Sequence, residues 1–496
     1  MKYPIGIQTF EQIINNGFVY VDKTDMVYAL ATEGKTYFLS RPRRFGKSLL
    51  LSTLRAYFEG KKELFKGLKI DKLEKDWHAH RVLHIDFNGV VFTRPGALED
   101  ELDKQLSTWE EEYHLPKGTR EMYGWRFEQI VQAIYTETGR GAVVLIDEYD
   151  KPLLDVLEMD PELLNNNREI LKGFYSTFKK ADAYLRFVFL TGVTKFSQVS
   201  VFSGFNQPKD ISMYEQFEAL CGITEEELHT QFAKPIREMA QTENCTEEEI
   251  KLRLKKHYDG YHFSKQMTDI YNPFSVLNAF DSKDIRDFWF ATGTPTYLIR
   301  LMNHFNEGID ELTGREYSLD EFVNYKADTE YPLPMIYQSG YLTIKNYDRE
   351  MDMFLLDFPN NEVKRGFLAM VASNYLQSGQ PMDSWIKRAV LSLRRGQIDQ
   401  FRQMLTAFLA SIPYSMRRKD EERERERYFQ YTFYLLLRLM SVYTIYIEKE
   451  QSEGRVDCVI ETPQFVYIFE FKLDGTAAGA LQQIEDKGYA REYEAD

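Results

Sequence analysis

The chain has 496 residues, of which 43% are hydrophobic and 15% aromatic, a composition that excludes a chain disordered throughout. Its 62 Lys and Arg are outnumbered by 77 Asp and Glu, and the net charge of −15 excludes a generally basic nucleic-acid-binding surface. Cys221, Cys245 and Cys458 are too scattered for a disulfide framework or a zinc cluster. The N-terminus has no apolar signal-peptide core, and the stretch 431–447 is interrupted by Arg438 and too short to span a membrane. The sequence therefore predicts a soluble cytoplasmic protein of about three domains.

Strands and helices alternate over residues 1–215. Short apolar runs predict strands at 36–40, 81–87, 141–150 and 184–192. Helical spacing predicts helices at 97–113, 122–139 and 161–181. Because such alternation is typical of parallel βαβ units, the sequence predicts an α/β domain over residues 1–215.

A phosphate-binding loop is predicted where the first strand turns into a helix, in the segment Arg41–Ser48 (RPRRFGKS). Gly46, Lys47 and Ser48 supply the second half of a P-loop, in which backbone N–H groups and the lysine contact phosphates and the hydroxyl contacts Mg²⁺. Arg41 stands where the first glycine of that motif belongs. The same loop carries Arg43 and Arg44, which either add positive charge beside the phosphates or form a basic surface turn.

Two further strand ends carry polar side chains that suit an NTPase. Asp147 ends an apolar strand and would hold the metal with Ser48, and Glu148 would polarise the attacking water. Thr191 ends the next strand, where it would sense the γ-phosphate. Taken singly, Asp147 and Glu148 could equally be an ordinary acidic pair at a strand end, and Thr191 a turn hydroxyl. Their order along the chain favours a site for ATP and Mg²⁺.

The middle region, residues 216–415, reads as mainly helical. Its aromatic residues either pack that region or stack on bases; they are Tyr258, Tyr261, Phe263, Tyr271 and Phe274. The charged run 417–427 favours a solvated helix and marks the start of a last domain, 416–496.

The last domain reads as helix (424–440), strand, hairpin, strand and helix, with strands at 454–460 and 465–473. Glu470 and Lys472 share one face of the second strand, and Asp457 on the first strand reaches the same end. Two carboxylates, Asp457 and Glu470, suit Mg²⁺ or Mn²⁺, and a lysine can orient a water for attack on a phosphodiester.

Two more residues are candidates to complete this set. They are Gln483 on the following helix and Glu448, placed just before the first strand. The alternative interpretation of the whole set is a cross-strand salt bridge at a sheet edge.

Several blocks of the chain resemble the AAA-ATPase-like family, which is common in anaerobic gut bacteria. In the first part they are Val21–Thr24, Arg41–Ser48 and Leu190–Phe196, and in the middle Tyr258–Tyr261, Tyr271–Ser275 and Gln338–Leu342. The tail is similar to the PD-(D/E)XK nuclease domain that usually follows. The resemblance covers nearly the whole chain, and the family's own loop reads RPRRFGKS, with Arg41 in place.

The resemblance implies a P-loop ATPase module fused to a restriction-endonuclease-like α/β module. A restriction-endonuclease-like core needs a further strand after the helix that carries Gln483, whereas the chain ends at Asp496. We therefore expect this fold to lack its last strand or to continue beyond the given sequence.

Three functions are consistent with these residues. The first is an ATP-binding and ATP-hydrolysing protein that gates metal-dependent cleavage of DNA or RNA. The second is a nucleotide-dependent switch or nucleic-acid-binding protein whose nuclease domain is inactive. The third is an ATPase that binds other proteins through its middle region. Nucleic acid is the predicted partner, with contacts confined to local basic clusters such as residues 417–419; the oligomeric state is left open.

Overall fold

A computed structural model describes residues 1–195, 208–290, 312–324, 332–376, 382–411, 433, 436–437, 444–451, 454–472 and 475–493. The predicted charged run 417–427 lies outside the described residues, as does most of the predicted helix 424–440. The chain forms two compact units, Met1–Val363 and Lys364–Asp496. The three domains expected from the sequence, divided after residues 215 and 415, remain a prediction.

The first unit is built on a five-stranded sheet in the order β2-β3-β4-β1-β5, with every neighbouring pair parallel. Its strands are β1 (Thr36–Ser40), β2 (Val82–Asp86), β3 (Ala142–Asp147), β4 (Leu185–Gly192) and β5 (Lys209–Asp210). All residues of β3 are buried, as expected for a strand covered on both faces. The predicted α/β class and the predicted first four strands are confirmed.

Helices flank this sheet, and the three predicted ones are confirmed to within a residue or two. In chain order they are α1 (Phe10–Asn15), α2 (Thr24–Glu33), α3 (Lys47–Phe58), α4 (Lys69–Leu73), α5 (Ala97–Glu112), α6 (Tyr123–Thr138), α7 (Lys151–Leu154) and α8 (Pro161–Lys180). None of the described helices combines the length and the apolarity needed to cross a bilayer.

The rest of the first unit combines helices with small antiparallel sheets that the sequence did not predict. The strands are β6 (Ile223–Thr224), β7 (Ile270–Tyr271), β8 (Arg315–Ser318), β9 (Thr343–Asp348) and β10 (Met353–Asp357), of which the last three form a sheet in the order β8-β10-β9. The helices are α9 (Glu225–Gln231), α10 (Ala233–Glu243), α11 (Glu247–Tyr258), α12 (Pro273–Ser282), α13 (Leu319–Val323) and α14 (Leu333–Gln338).

In the second unit, a three-stranded antiparallel sheet carries the tail motif. Its order is β11 (Thr444–Gln451), β12 (Gly454–Glu461) and β13 (Val466–Phe469). Helix α15 (Asn361–Leu376) leads into this unit, followed by α16 (Met382–Arg394), α17 (Ile398–Ser411) and α18 (Ala477–Asp486). The second predicted strand is shorter than expected. Glu448 precedes the first predicted strand, as expected, but lies in an additional strand, β11.

Candidate functional site

The segment predicted to bind phosphate forms a loop at the N-terminus of α3. Gly46 adopts a left-handed conformation with φ of 97°, which a glycine tolerates without strain. Helix α3 begins at Lys47, and no side chain caps its first turn within the described chain. The backbone N–H groups of this turn are therefore available to an anion.

Arg41, at the position of the missing first glycine, turns away from the loop and into the core. Its side chain is 1% exposed, and its guanidinium donates hydrogen bonds to the carbonyl oxygens of Ser40 (2.9 Å) and Ser212 (2.7 Å). It also lies over the ring of Phe263, 4.1 Å from the centroid, and burial lowers the pKa of Arg41. Arg41 is therefore a buried structural cation rather than a phosphate ligand.

Residues of the middle region, far along the chain, pack against the phosphate loop. The Phe45 ring packs edge-on against Tyr261, with centroids 4.7 Å apart, and the indole nitrogen of Trp289 donates to the Arg43 carbonyl oxygen at 3.0 Å. A Cβ on Gly340 would lie 2.6 Å from the Pro42 side chain, so only glycine allows this close approach. Tyr261 and Gly340 lie in the middle-region blocks that resemble the family, whereas Trp289 lies between those blocks.

Four of the middle-region aromatics (Tyr258, Tyr261, Phe263 and Tyr271) are buried, which confirms the packing interpretation for them. Phe274 differs, because it lines a cavity of about 590 Å³ together with the phosphate loop. The loop contributes Arg43, Arg44, Gly46, Lys47 and Ser48. The opposite walls are the N-terminal segment 4–8 and the start of α12. This volume is in the range of small-molecule sites.

Lys47 and Glu148 meet at the floor of this cavity. The Lys47 ammonium group donates to the carbonyl oxygens of Arg41 (3.0 Å) and Pro42 (3.3 Å), and it lies 3.5 Å from the Glu148 carboxylate. Glu148 has a φ of 50°, an uncommon conformation for a residue other than glycine. Strained residues of this kind cluster at functional sites.

Asp147 and Thr191 are hydrogen-bonded to each other next to Glu148. The Thr191 hydroxyl donates to Asp147 Oδ1 at 2.6 Å, and the same oxygen accepts from the Glu148 backbone N–H at 3.0 Å. Both side chains are buried and lie outside the cavity lining formed by the described residues. The structure thus brings the predicted residues together, with Thr191 bonded to the acidic pair rather than exposed to the cavity.

Asp150 is a residue that the sequence reasoning missed. Its buried Oδ2 accepts from the backbone N–H groups of Val193 (3.0 Å) and Thr194 (2.6 Å) and from the Thr194 hydroxyl (2.7 Å). Burial, with the nearby charge of Glu148, raises the pKa of Asp150 to about 6. Asp150 thereby links the loop after β3 to the loop after β4.

The tail residues also converge. Asp457 on β12 accepts a hydrogen bond from the Phe471 backbone N–H at 2.7 Å, and the register that pairs Cys458 with Phe469 places Asp457 opposite Glu470. Glu470 Oε1 accepts from Lys472 at 3.0 Å and from the Gln483 side-chain amide. The structure therefore joins Glu470 directly to two of the other predicted residues and brings Asp457 to the same end of the hairpin.

The other oxygen of Glu470, Oε2, is buried and has no hydrogen-bond partner among the described residues. A buried carboxylate oxygen without a partner is costly, and a cation would satisfy it. Among the described residues, no group of three or more His, Cys, Asp or Glu side chains is arranged to hold a metal ion. The residues present fit a Mg²⁺ held by one or two carboxylates, with water and substrate oxygens as its other ligands.

Gly454 and Tyr489, which flank this motif, have a packing role. The Tyr489 hydroxyl donates to the Arg455 carbonyl oxygen at 2.9 Å, and the Tyr489 ring packs with Val456 and Val459. A Cβ on Gly454 would lie 2.9 Å from that hydroxyl oxygen. Gly454 thus lets α18 and the chain that follows it dock on the hairpin.

Comparison with known proteins shows the family of the chain. Residues 4–202 match the family model described as "Predicted AAA-ATPase". A protein of Azotobacter chroococcum mcd 1, described as "Uncharacterized protein in vnfD 5'region", is 36% identical over 503 residues, covering 100% of this chain and 94% of the relative. The chain belongs to the AAA-ATPase-like family. It contains an ATPase-like domain and, at residues 424–496, a match to the PD-(D/E)XK nuclease superfamily.

Among solved structures, the chain is similar to the Aeropyrum pernix ORC1 protein in complex with DNA, with 12% identity and a TM-score of 0.25. That match covers 71% of this chain and 93% of the other. Because its TM-score is low, the match supports no conclusion about function.

Sequence signals for the missed residues of this AAA-ATPase-like protein are weak. Asp150 stands in the acidic segment that ends β3, but nothing in that segment distinguishes it from a solvated side chain. Trp289 is 246 positions from Arg43, and no local pattern predicts their contact.

Proposed function

We propose that this protein binds and hydrolyses ATP at its phosphate loop and thereby gates metal-dependent cleavage of nucleic acid at Asp457, Glu470 and Lys472. The observation that carries the proposal is Glu470, whose one oxygen is bonded to Lys472 and Gln483 while the other is buried and unpartnered among the described residues. The cavity at the phosphate loop supports the nucleotide half.

In the nucleotide half, Lys47 is the residue that changes partners. It would leave the carbonyl oxygens of the loop and Glu148 for phosphate oxygens, while the N–H groups at the start of α3 bind the same phosphates. Glu148 would then be free to accept a proton from the attacking water. Ser48 and Asp147 are the candidates to hold Mg²⁺, which stabilises charge on the phosphates when bound.

The remaining walls of the cavity suit the base. Phe274 and Leu277 line it beside the N-terminal segment, and the Arg44 guanidinium lies 5.1 Å from the Phe274 ring centroid. An aromatic ring and apolar side chains next to cations match a nucleotide, with its flat base and charged phosphates.

In the nuclease half, Gln483 and Lys472 fix the Glu470 carboxylate, and Asp457 provides the second carboxylate. A divalent metal bound there would polarise the phosphodiester. Lys472, whose ammonium group lies 3.0 Å from the Glu470 carboxylate, would orient the attacking water.

The test is a cleavage panel with single-stranded DNA, double-stranded DNA and RNA, with and without ATP, in Mg²⁺ or Mn²⁺. We expect metal-dependent cleavage that Lys472→Ala abolishes and that Lys47→Ala makes insensitive to ATP. Lys487→Ala, a change on the exposed end of α18, is the matched control and should cleave like wild type. Full cleavage by Lys472→Ala would refute the nuclease assignment.

A second candidate is a nucleotide-dependent switch with an inactive nuclease domain. The observation that favours it is that the described residues supply only two carboxylates to the tail site and no larger metal-binding group. ATP binding that Lys47→Ala removes, together with no cleavage of any polymer by wild type, would support this candidate instead.

A further inference from the structure

Helix α16 has a strongly basic exposed face. Trp385, Ala389 and Leu393 are buried at helical spacing on one side of the helix. The opposite side exposes four cations as two adjacent pairs about two turns apart, and we call them the basic face: Lys387, Arg388, Arg394 and Arg395, the last directly after the helix. Residues 384–398 include no acidic side chain.

The cations of the basic face form no ion pair with a carboxylate within the part of the chain that the structure describes. Elsewhere, exposed cations are commonly paired, as in Lys35–Asp182 (2.7 Å) and Arg81–Glu137 (3.2 Å). In a chain with a net charge of −15, unpaired cations on one helix face create a local positive potential. Such a potential attracts a polyanion.

The basic face is attached to the hairpin that bears the nuclease residues. The Tyr467 hydroxyl donates to the Leu393 carbonyl oxygen at 2.6 Å, and the Phe465 ring packs against Gly396, where a Cβ would lie 2.8 Å from it. Phe401 of α17 packs edge-on against Phe469, with centroids 6.3 Å apart. The end of α16 therefore docks on β13, the strand that leads to Glu470.

Spacing along β13 sets the distance between the point where α16 docks and the nuclease residue Glu470. Tyr467 and Glu470 are three residues apart, which is roughly 10 Å along a strand, and they point to opposite faces. Among the described strands, β13 is at the edge of its sheet. A polymer that crosses this edge could contact the basic face on one side and Asp457 and Glu470 on the other.

We propose that the basic face of α16 binds the phosphate backbone of the nucleic acid cleaved at Asp457, Glu470 and Lys472. The inference rests on the proposed nuclease function and adds the surface that holds its substrate. Lys387 and Arg395 are eight positions apart, about 12 Å at the helical rise, which matches roughly three to four nucleotide steps of a strand. Phosphate contacts of this kind position a polymer without reading its sequence.

The test measures binding rather than cleavage, using the full chain in metal-free buffer and fluorescein-labelled 30-mers of duplex DNA, single-stranded DNA and RNA. The variant replaces all four cations of the basic face with Glu. We expect Kd to rise at least about tenfold and the slope of log K against log salt to fall by about 2 to 4. A second variant with Gln at the same positions avoids repulsion within the helix, and it should show a smaller loss in the same direction.

The matched control places four Glu residues at exposed cations of the first unit, Lys104, Lys172, Lys234 and Arg237, for the same change in net charge. Its Kd should stay within about threefold of wild type. The polymer that shows the selective loss identifies the substrate as DNA or RNA. Equal losses of affinity in control and variant, or unchanged binding by a folded variant, would refute the assignment of the basic face as the binding surface. Either result would leave the nuclease proposal intact. No binding of any polymer by wild type would overturn both.

Discussion

Arg41 shows how one residue of the phosphate loop serves the fold. Its guanidinium satisfies carbonyl oxygens that are buried with it, so removing it would leave several acceptors without a donor. A glycine here would restore the usual P-loop pattern but not the stability of this chain.

We therefore predict that Arg41→Gly lowers the free energy of unfolding by about 3 kcal/mol or more, as measured by urea denaturation. Arg43→Ala, a change at an exposed position of the same loop, should alter it by no more than about 0.5 kcal/mol. Equal effects of the two substitutions would contradict a structural role for Arg41.

Asp259 is a second residue with a consequence for stability. It is buried, and neither of its carboxylate oxygens has a hydrogen-bond partner among the described residues, although the Lys255 ammonium group lies 3.8 Å away. Burial, with the nearby carboxylate of Asp269, raises the pKa of Asp259 from 3.8 to about 7. The folded state therefore binds this proton more tightly than the unfolded state.

Because the folded pKa is the higher one, the contribution of this proton to stability is complete at low pH and is lost as the pH rises toward 7. We expect Asp259→Asn to reduce the stability difference between pH 5 and pH 8 by about 2 to 3 kcal/mol, measured by denaturant titration at each pH. Asp76→Asn, at an exposed aspartate, is the control and should leave the pH profile unchanged.

At the scale of elements, the hairpin of β12 and β13 depends on close approach to the chain after α18. Tyr489 Oη is the nearest atom to a Cβ placed on Gly454, and the next Tyr489 atoms are 3.7 Å away. Removing the hydroxyl should therefore remove most of the clash that a larger residue would cause.

We predict that Tyr489→Phe destabilises the protein by about 1 kcal/mol. Gly454→Ala should cost about 2 kcal/mol or more, because it adds backbone strain at a φ of 156° to the clash. The double variant should lose less than the sum, because the hydroxyl that clashes is absent. Thermal unfolding of the four proteins in a double-mutant cycle measures this coupling, and strict additivity would show that the two sites are independent.

The elements also show what a sequence can predict. Strands β1 to β4 and helices α5, α6 and α8 follow from long apolar patterns, and β1 agrees to the residue. The sheet of β8, β9 and β10 was missed because its strands are short and partly polar, as in Arg315–Ser318. For the sites, residue types and order along strands predicted which side chains meet, but not the inward turn of Arg41 or the distant partner Trp289.

For the whole molecule, nucleotide binding should be visible as stabilisation. A ligand that binds only the folded state adds about 2.7 kcal/mol at 100 times its Kd. We expect ATP with Mg²⁺ at such a concentration to raise the unfolding midpoint of wild type but not of Lys47→Ala, as measured by calorimetry. Lys104→Ala, an exposed change on α5, should respond like wild type. An equal shift in Lys47→Ala would place the nucleotide elsewhere.

The contacts that the middle region makes with the phosphate loop have a consequence for protein engineering. Phe45 and Arg43 depend on Tyr261 and Trp289, which lie well beyond the ATPase-like match at residues 4–202. A chimera that transplants only the matched segment would carry the loop without its supports. A portable ATPase-like segment should instead contain the whole compact unit Met1–Val363, which includes both supports.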